Sequence, residues 1–159
     1  MPEPEVLLFK IPLVLWVIGT IKKMKKAGKD DFKTWSNYWF RTYKDLGGKS
    51  DSSGSKGCPK YATYGLWRLG HISKSGKPFQ NWALERVNEE LGKNAAYAVL
   101  ALDLLERKRS EKYTESKLWA EVQEQYQKKF GESPAKSEQG AIKIARGLFE
   151  EGQTLSRPQ

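Results

Sequence analysis

The residues best suited to bind an anion lie in one short polar stretch. Residues 49–57 (KSDSSGSKG) are rich in Ser, Gly and Lys, and Pro59 directly after them favours the start of a helix. Backbone N–H groups and the helix dipole make such an N-terminus favourable for anions. An anion site is therefore predicted from Ser53, Ser55, Lys56, Gly57 and Lys60. A flexible linker that only caps the helix is the alternative, and the P-loop order GxxxxGK[ST] is absent from the sequence.

The single thiol directly follows this stretch. Thiols at helix N-termini are often reactive, so Cys58 is a candidate nucleophile. Its only potential imidazole base, His71, comes after the other end of the same predicted helix, roughly 16 Å or more away at 1.5 Å per residue. A buried, inert cysteine is therefore the favoured interpretation. One Cys and one His also exclude the usual zinc sites, and no metal or other cofactor is predicted. A lone thiol without an intrachain disulfide is typical of a reducing compartment, so we expect a cytoplasmic protein.

The excess of Lys and Arg over Asp and Glu lies entirely in the first half of the chain. The net charge is +9; residues 1–80 hold 15 Lys/Arg against 6 Asp/Glu, and residues 81–159 hold 13 against 13. A positive charge concentrated on one side of a protein favours binding of a polyanion such as nucleic acid. The sequence therefore predicts a non-enzymatic protein that binds nucleic acid, DNA in the first instance. An adaptor for an acidic protein partner is the alternative, and an enzyme acting at Cys58 is a third hypothesis.

A helix–turn–helix interpretation assigns roles to further basic residues. The predicted helices 31–46 and 59–69 would form the pair, with Lys60 and Arg68 on the recognition helix. Lys74 and Lys77 follow as a basic wing. Phosphate contacts from these side chains are expected, whereas the pattern gives no support for reading of specific bases.

The apolar segment 6–21 raises the question of a membrane anchor. It has 16 residues where a spanning helix needs about 20, and it contains Lys10 and Pro12. We therefore predict a core helix whose C-terminal lysines complement its dipole, and the anchor stays open as the alternative. The sequence gives no indication of the oligomeric state.

Helical periodicity dominates the remaining chain and predicts the all-α class. One domain covers 1–159, with a tail at 155–159. About seven helices are expected, at about 13–26, 31–46, 59–70, 78–91, 94–107, 114–130 and 137–152. The Ser75-Gly76 step makes a short hairpin near 71–77 a candidate.

The two halves of the chain resemble each other. Trp35 pairs with Trp119, and the step Gly65-Leu66-Trp67 pairs with Gly147-Leu148-Phe149. The spacing predicts tandem helical repeats over about 12–72 and 96–154, joined by a bridging helix.

The stretch KGCPKYATYGLWRLG, followed by NAAYAVLALDLL, resembles a family of small uncharacterised bacterial proteins. The likeness rests on the pattern KGCP-x-x-A-x-x-GL-x-x-x-G, from Lys56 to Gly70, and more loosely on Trp35 and Trp119. Trp67 departs from the pattern, since a small residue or Cys is expected there. The resemblance implies a compact helical fold and no known activity.

Overall fold

The computed structural model describes residues 5–73, 75–109, 112–135 and 140–155. In these ranges the chain forms seven helices of eight or more residues, one short helical turn (α3) and one small hairpin, which confirms the all-α class. The elements are β1 (Leu7–Leu8), β2 (Ile11–Pro12), α1 (Leu13–Ala27), α2 (Phe32–Asp45), α3 (Asp51–Gly54), α4 (Gly57–Arg68), α5 (Leu84–Leu91), α6 (Lys93–Arg107), α7 (Glu115–Phe130) and α8 (Ala141–Glu150).

The apolar N-terminal segment is divided between the hairpin and α1, whose apolar face packs on α2. The Trp16 and Trp39 rings stack with centroids 4.1 Å apart. The indole N–H of Trp16 donates to the Trp39 carbonyl oxygen at 2.8 Å. Every helix in the described ranges is too short or too polar to cross a membrane. The predicted core helix is thus present.

Helix α6 forms the centre of the molecule. It packs against α4, α5, α7 and α8, and its middle is buried on all sides. A run of Ala and Leu suits this position, because small side chains let several helices approach one axis. The approach to α4 is close, since a Cβ built on Gly65 would lie 2.5 Å from the Ala95 Cβ.

The hairpin lies at the N-terminus rather than near 71–77. Strands β1 and β2 pair antiparallel around the two-residue turn Phe9-Lys10. This turn lacks the Asn or Gly that normally marks such a hairpin, so the sequence pattern did not indicate it. In segment 71–77, where Lys74 is outside the described residues, Ile72 forms one isolated bridge with Thr154.

Two helix starts differ from the sequence prediction. The helix expected from residue 78 begins only at Leu84, because the preceding residues run beside the end of α4, where the Gln80 N–H bonds to the Leu69 carbonyl oxygen. The polar stretch 49–57 contains α3, which Ser50 caps through the Ser53 N–H. The helix expected from residue 137 is described from Ala141, where α8 begins, and residues 136–139 lie outside the described residues.

The residues that suggested a duplication share local features in the two halves. Trp35 and Trp119 are both buried, on α2 and α7. Gly70 and Gly152 both end a helix with positive φ, 75° and 69°. Helix α2 packs on α4, and α7 packs on α8. The repeat units and the single domain nevertheless stay predictions.

Candidate nucleic-acid interface

The helix expected to enter a DNA groove is a core helix. Helix α4 packs against α2, α5, α6 and α8, and seven of its residues are buried: Pro59, Ala62, Thr63, Tyr64, Gly65, Leu66 and Trp67. A recognition helix needs one free face along its length. Most of α4 is packed in the core, so few of its side chains are open to a groove, and its basic residues lie at its two ends.

The predicted site residues divide between those two ends. Ser53, Ser55, Lys56, Gly57 and Lys60 lie at or near the N-terminal end of α4, whereas Arg68 and Lys77 lie at the C-terminal end. Twelve helical residues at 1.5 Å each separate the two groups by about 18 Å. Lys74 is outside the described residues. The predicted site residues in the described part of the chain thus form two groups.

At the N-terminal end of α4, several polar groups already have partners within the protein. The Lys60 ammonium donates to Ser36 Oγ at 2.9 Å, and partial burial lowers its pKa. The Ser55 hydroxyl donates to the Asp51 carbonyl oxygen at 2.6 Å. Lys56 remains exposed, with its Nζ 5.6 Å from the centroid of the Phe9 ring. This end can present Lys56 to an anion, while Lys60 is half-buried.

At the C-terminal end of α4, the basic side chains lie against the turn between α1 and α2. The Tyr64 hydroxyl donates to the Asp30 carbonyl oxygen at 2.7 Å. Burial raises the pKa of Tyr64, and the neighbouring Arg68 guanidinium opposes this rise. Lys77 Nζ lies 3.6 Å from the Asp30 carboxylate and 4.9 Å from the centroid of the Trp67 ring. Arg68 and Lys77 are thus brought together around one turn.

Beside this turn lies a basic surface that was not among the residues predicted from the sequence to bind phosphate. Helix α1 buries Trp16, Val17, Ile21 and Met24 on one face, so the lysines on its other face point to solvent. We call the lysine ridge the four exposed residues Lys22, Lys25, Lys26 and Lys29. The signal was present in the sequence, because the spacing i, i+3, i+4 places three of these lysines on one helical face.

Two contacts hold the lysine ridge next to Lys77. The Lys29 N–H bonds to the Met24 carbonyl oxygen at 3.2 Å, which turns the chain back at the end of α1. A Cβ built on Gly76 would lie 3.0 Å from Lys25 Cε, so the segment leading to Lys77 runs beside the ridge. The ridge, Arg68 and Lys77 therefore lie around one end of the molecule.

The two halves of the chain differ in how many of their Lys and Arg side chains form ion pairs. Fourteen Lys and Arg residues are described between 5 and 80, and only three of these form an ion pair: Lys23, Lys44 and Lys77. At least seven form ion pairs in the described residues after 80: Arg86, Arg107, Lys108, Arg109, Lys128, Lys129 and Arg146. The positive charge of the N-terminal half is thus largely uncompensated within the protein.

The structure does not bring together a Cys–His pair. Cys58 is the second residue of α4, and His71 follows the other end of that helix. His71 is buried against the Phe79 ring, with centroids 4.8 Å apart. In the described part of the chain, no group of three or more His, Cys, Asp or Glu side chains is placed to hold a metal ion.

Fold and site together define a mostly helical protein with an uncompensated basic N-terminal half. The chain belongs to a family of unknown function, DUF6979, whose model matches residues 18–153. This match confirms the expectation of an uncharacterised family. Comparisons with curated proteins and with solved structures gave no match.

Proposed function

We propose that this protein binds nucleic acid, duplex DNA in the first instance, through the lysine ridge. The observation that carries the proposal is four exposed lysines that form no ion pair with any described residue, beside a further Arg68 and Lys77. Binding in the cytoplasm, without catalysis, is part of the proposal. A helix C-terminus tolerates such a concentration of positive charge, because its dipole is negative there.

Binding of this kind is dominated by phosphate contacts. Each lysine that neutralises a phosphate releases a condensed counterion, and this release drives association without regard to sequence. Because α4 and the Trp67 ring are buried, the residues first considered for reading base edges are not offered to a groove. We therefore propose a binder with little sequence preference that follows the backbone.

Fluorescence anisotropy with a labelled 20-base-pair duplex and a labelled single-stranded RNA tests this proposal. The ridge variant replaces Lys22, Lys25, Lys26 and Lys29 with Gln. The matched control variant makes the same change at four exposed lysines of the other half: Lys93, Lys112, Lys128 and Lys129. Both variants carry a net charge of 9 − 4 = +5.

We expect the ridge variant to bind the duplex at least tenfold more weakly at 50 mM salt, and the control variant to bind within about threefold of the wild type. Equal weakening in both variants would show that net charge alone matters and would refute the ridge. The adaptor hypothesis is favoured instead if no nucleic acid binds and an acidic protein remains bound to the ridge after nuclease treatment.

A further inference from the structure

A second feature of the N-terminal half is a cleft between the hairpin turn and the loop that joins α2 to α3. We call it the hairpin cleft; Phe9, Ile11, Tyr43 and Leu46 form its apolar part, and Lys10 and Lys49 add two cations. Its volume is ≈ 590 Å³. Clefts of about 300–1,000 Å³ are typical of small-molecule sites.

The charges around the hairpin cleft are of one sign. None of the described residues that line it is Asp or Glu. Lys10 and Lys49 are exposed and form no ion pair with any described residue. The nearby Asp51 carboxylate is already paired with Lys44 at 2.9 Å. An occupant that is complementary to this cleft therefore carries a negative charge.

The apolar part of the cleft is rigidly built. The Tyr43 hydroxyl accepts a hydrogen bond from the Ser50 N–H at 2.9 Å, which joins α2 to the start of α3. A Cβ on Gly48 would lie 2.3 Å from the Tyr43 ring, so the loop backbone lies directly against that ring. The buried Tyr43 ring thus fixes the loop that forms this wall, and the half-buried Phe9 and Leu46 are left to contact an apolar group.

The opposite wall is held in an unfavourable backbone conformation. Phe9 and Lys10, the two central residues of the hairpin turn, have φ of 50° and 68°. Asn and Gly adopt such angles readily, whereas bulky side chains do so at a cost in stability. Residues retained in strained conformations are concentrated at functional sites. Here the strain places an aromatic ring and an ammonium group at the cleft.

We propose that the hairpin cleft binds a small organic anion with an apolar body. The apolar body packs against the half-buried Phe9 and Leu46, and its carboxylate, sulfonate or phosphate group is held by Lys10 and Lys49. This site is independent of the lysine ridge and does not rest on the proposed function.

An NMR titration of the full chain with three probes tests separately whether binding needs the apolar body and whether it needs the anionic group. Naphthalene-2-sulfonate has both an apolar body and an anionic group, 2-naphthalenemethanol lacks the charge, and methanesulfonate lacks the apolar body. We expect saturable amide shifts at Gly47, Gly48 and Ser53 with naphthalene-2-sulfonate, and at least tenfold weaker binding of the other two probes. Equal binding of the neutral probe, or shifts confined to residues outside the cleft, would overturn the proposal.

Two substitutions test the cations. Lys10→Gly and Lys49→Gln are each expected to weaken binding of naphthalene-2-sulfonate about tenfold, whereas the control Lys33→Gln, an exposed lysine outside the cleft, leaves it unchanged. Lys10→Gly also removes a positive-φ side chain, so its melting temperature should rise while its binding falls. The ridge variant should bind the probe as the wild type does. Unchanged binding in the Lys10→Gly, Lys49→Gln double variant would refute the site.

Discussion

At the scale of single residues, the glycines of the pattern from Lys56 to Gly70 have different structural roles. Gly65 lies where α4 crosses α6, and a methyl group there would overlap the Ala95 Cβ at 2.5 Å. Gly57 begins α4, and a methyl group there would meet only the Tyr61 ring at 3.9 Å. Both glycines belong to the sequence pattern, which does not distinguish them. The packing of α4 shows that only Gly65 is needed for a close helix contact.

This difference gives a prediction for stability. Gly65→Ala is expected to destabilise the protein by about 2 kcal/mol, because the extra methyl group overpacks the contact between α4 and α6. Gly57→Ala serves as the control and should change the free energy of unfolding by less than about 0.5 kcal/mol, because its site is open. Chemical denaturation measures both. Equal losses in the two variants would contradict the assigned close approach of α4 and α6.

At the scale of elements, the start of α2 depends on a charged cap. The Asp31 carboxylate accepts hydrogen bonds from the Thr34 hydroxyl and, at 3.0 Å, from the Thr34 N–H. These bonds hold the pKa of Asp31 below its ordinary value of 3.8. Because the folded-state pKa is lowered, the stabilisation is complete above the unfolded-state pKa and disappears as pH falls through the folded-state value.

The pH dependence of an Asp31→Ala variant tests this cap. Its melting temperature should lie below that of the wild type by a constant amount above about pH 5, and the difference should shrink once pH falls below 3.8. Thr114→Ala is the control, since the Thr114 hydroxyl caps α7 through the Lys117 N–H and does not titrate in this range. A difference for Asp31→Ala that stays constant down to pH 2 would contradict the role of the charge.

Helix boundaries were predictable where caps and periodicity agreed. The expected helices 31–46 and 114–130 match α2 and α7 to within one residue at each end, where Asp31 and Thr114 cap the starts and Gly131 follows the end of α7. The β1–β2 hairpin was missed because Phe9 and Lys10 occupy positions where Asn or Gly is the usual signal. Helix α5 starts late because the segment before it packs along α4, a tertiary contact that local periodicity does not contain.

At the scale of the whole molecule, the sequence predicted that the net positive charge lies in the first half of the chain. It did not predict which surface carries the exposed cations. The sequence located the excess in residues 1–80 and assigned the phosphate contacts to α4 and the segments on either side of it. Helix α4 is buried because α6 and α8 pack on it, and these helices begin 25 or more positions after α4 along the chain. Three of the four ridge lysines instead lie on α1, which the apolar pattern had marked only as a core helix or an anchor, and Lys29 directly follows it.

The central claim is that the lysine ridge neutralises phosphates, and the salt dependence of duplex binding tests it most directly. Four neutralised phosphates contribute about −3.6 to the slope of log K against log salt concentration, at about −0.9 each. Between 25 and 200 mM NaCl, we expect the slope of the ridge variant to be less negative than that of the wild type by about 3.6, and the control variant to keep the wild-type slope. A ridge variant with the wild-type slope would contradict the claim.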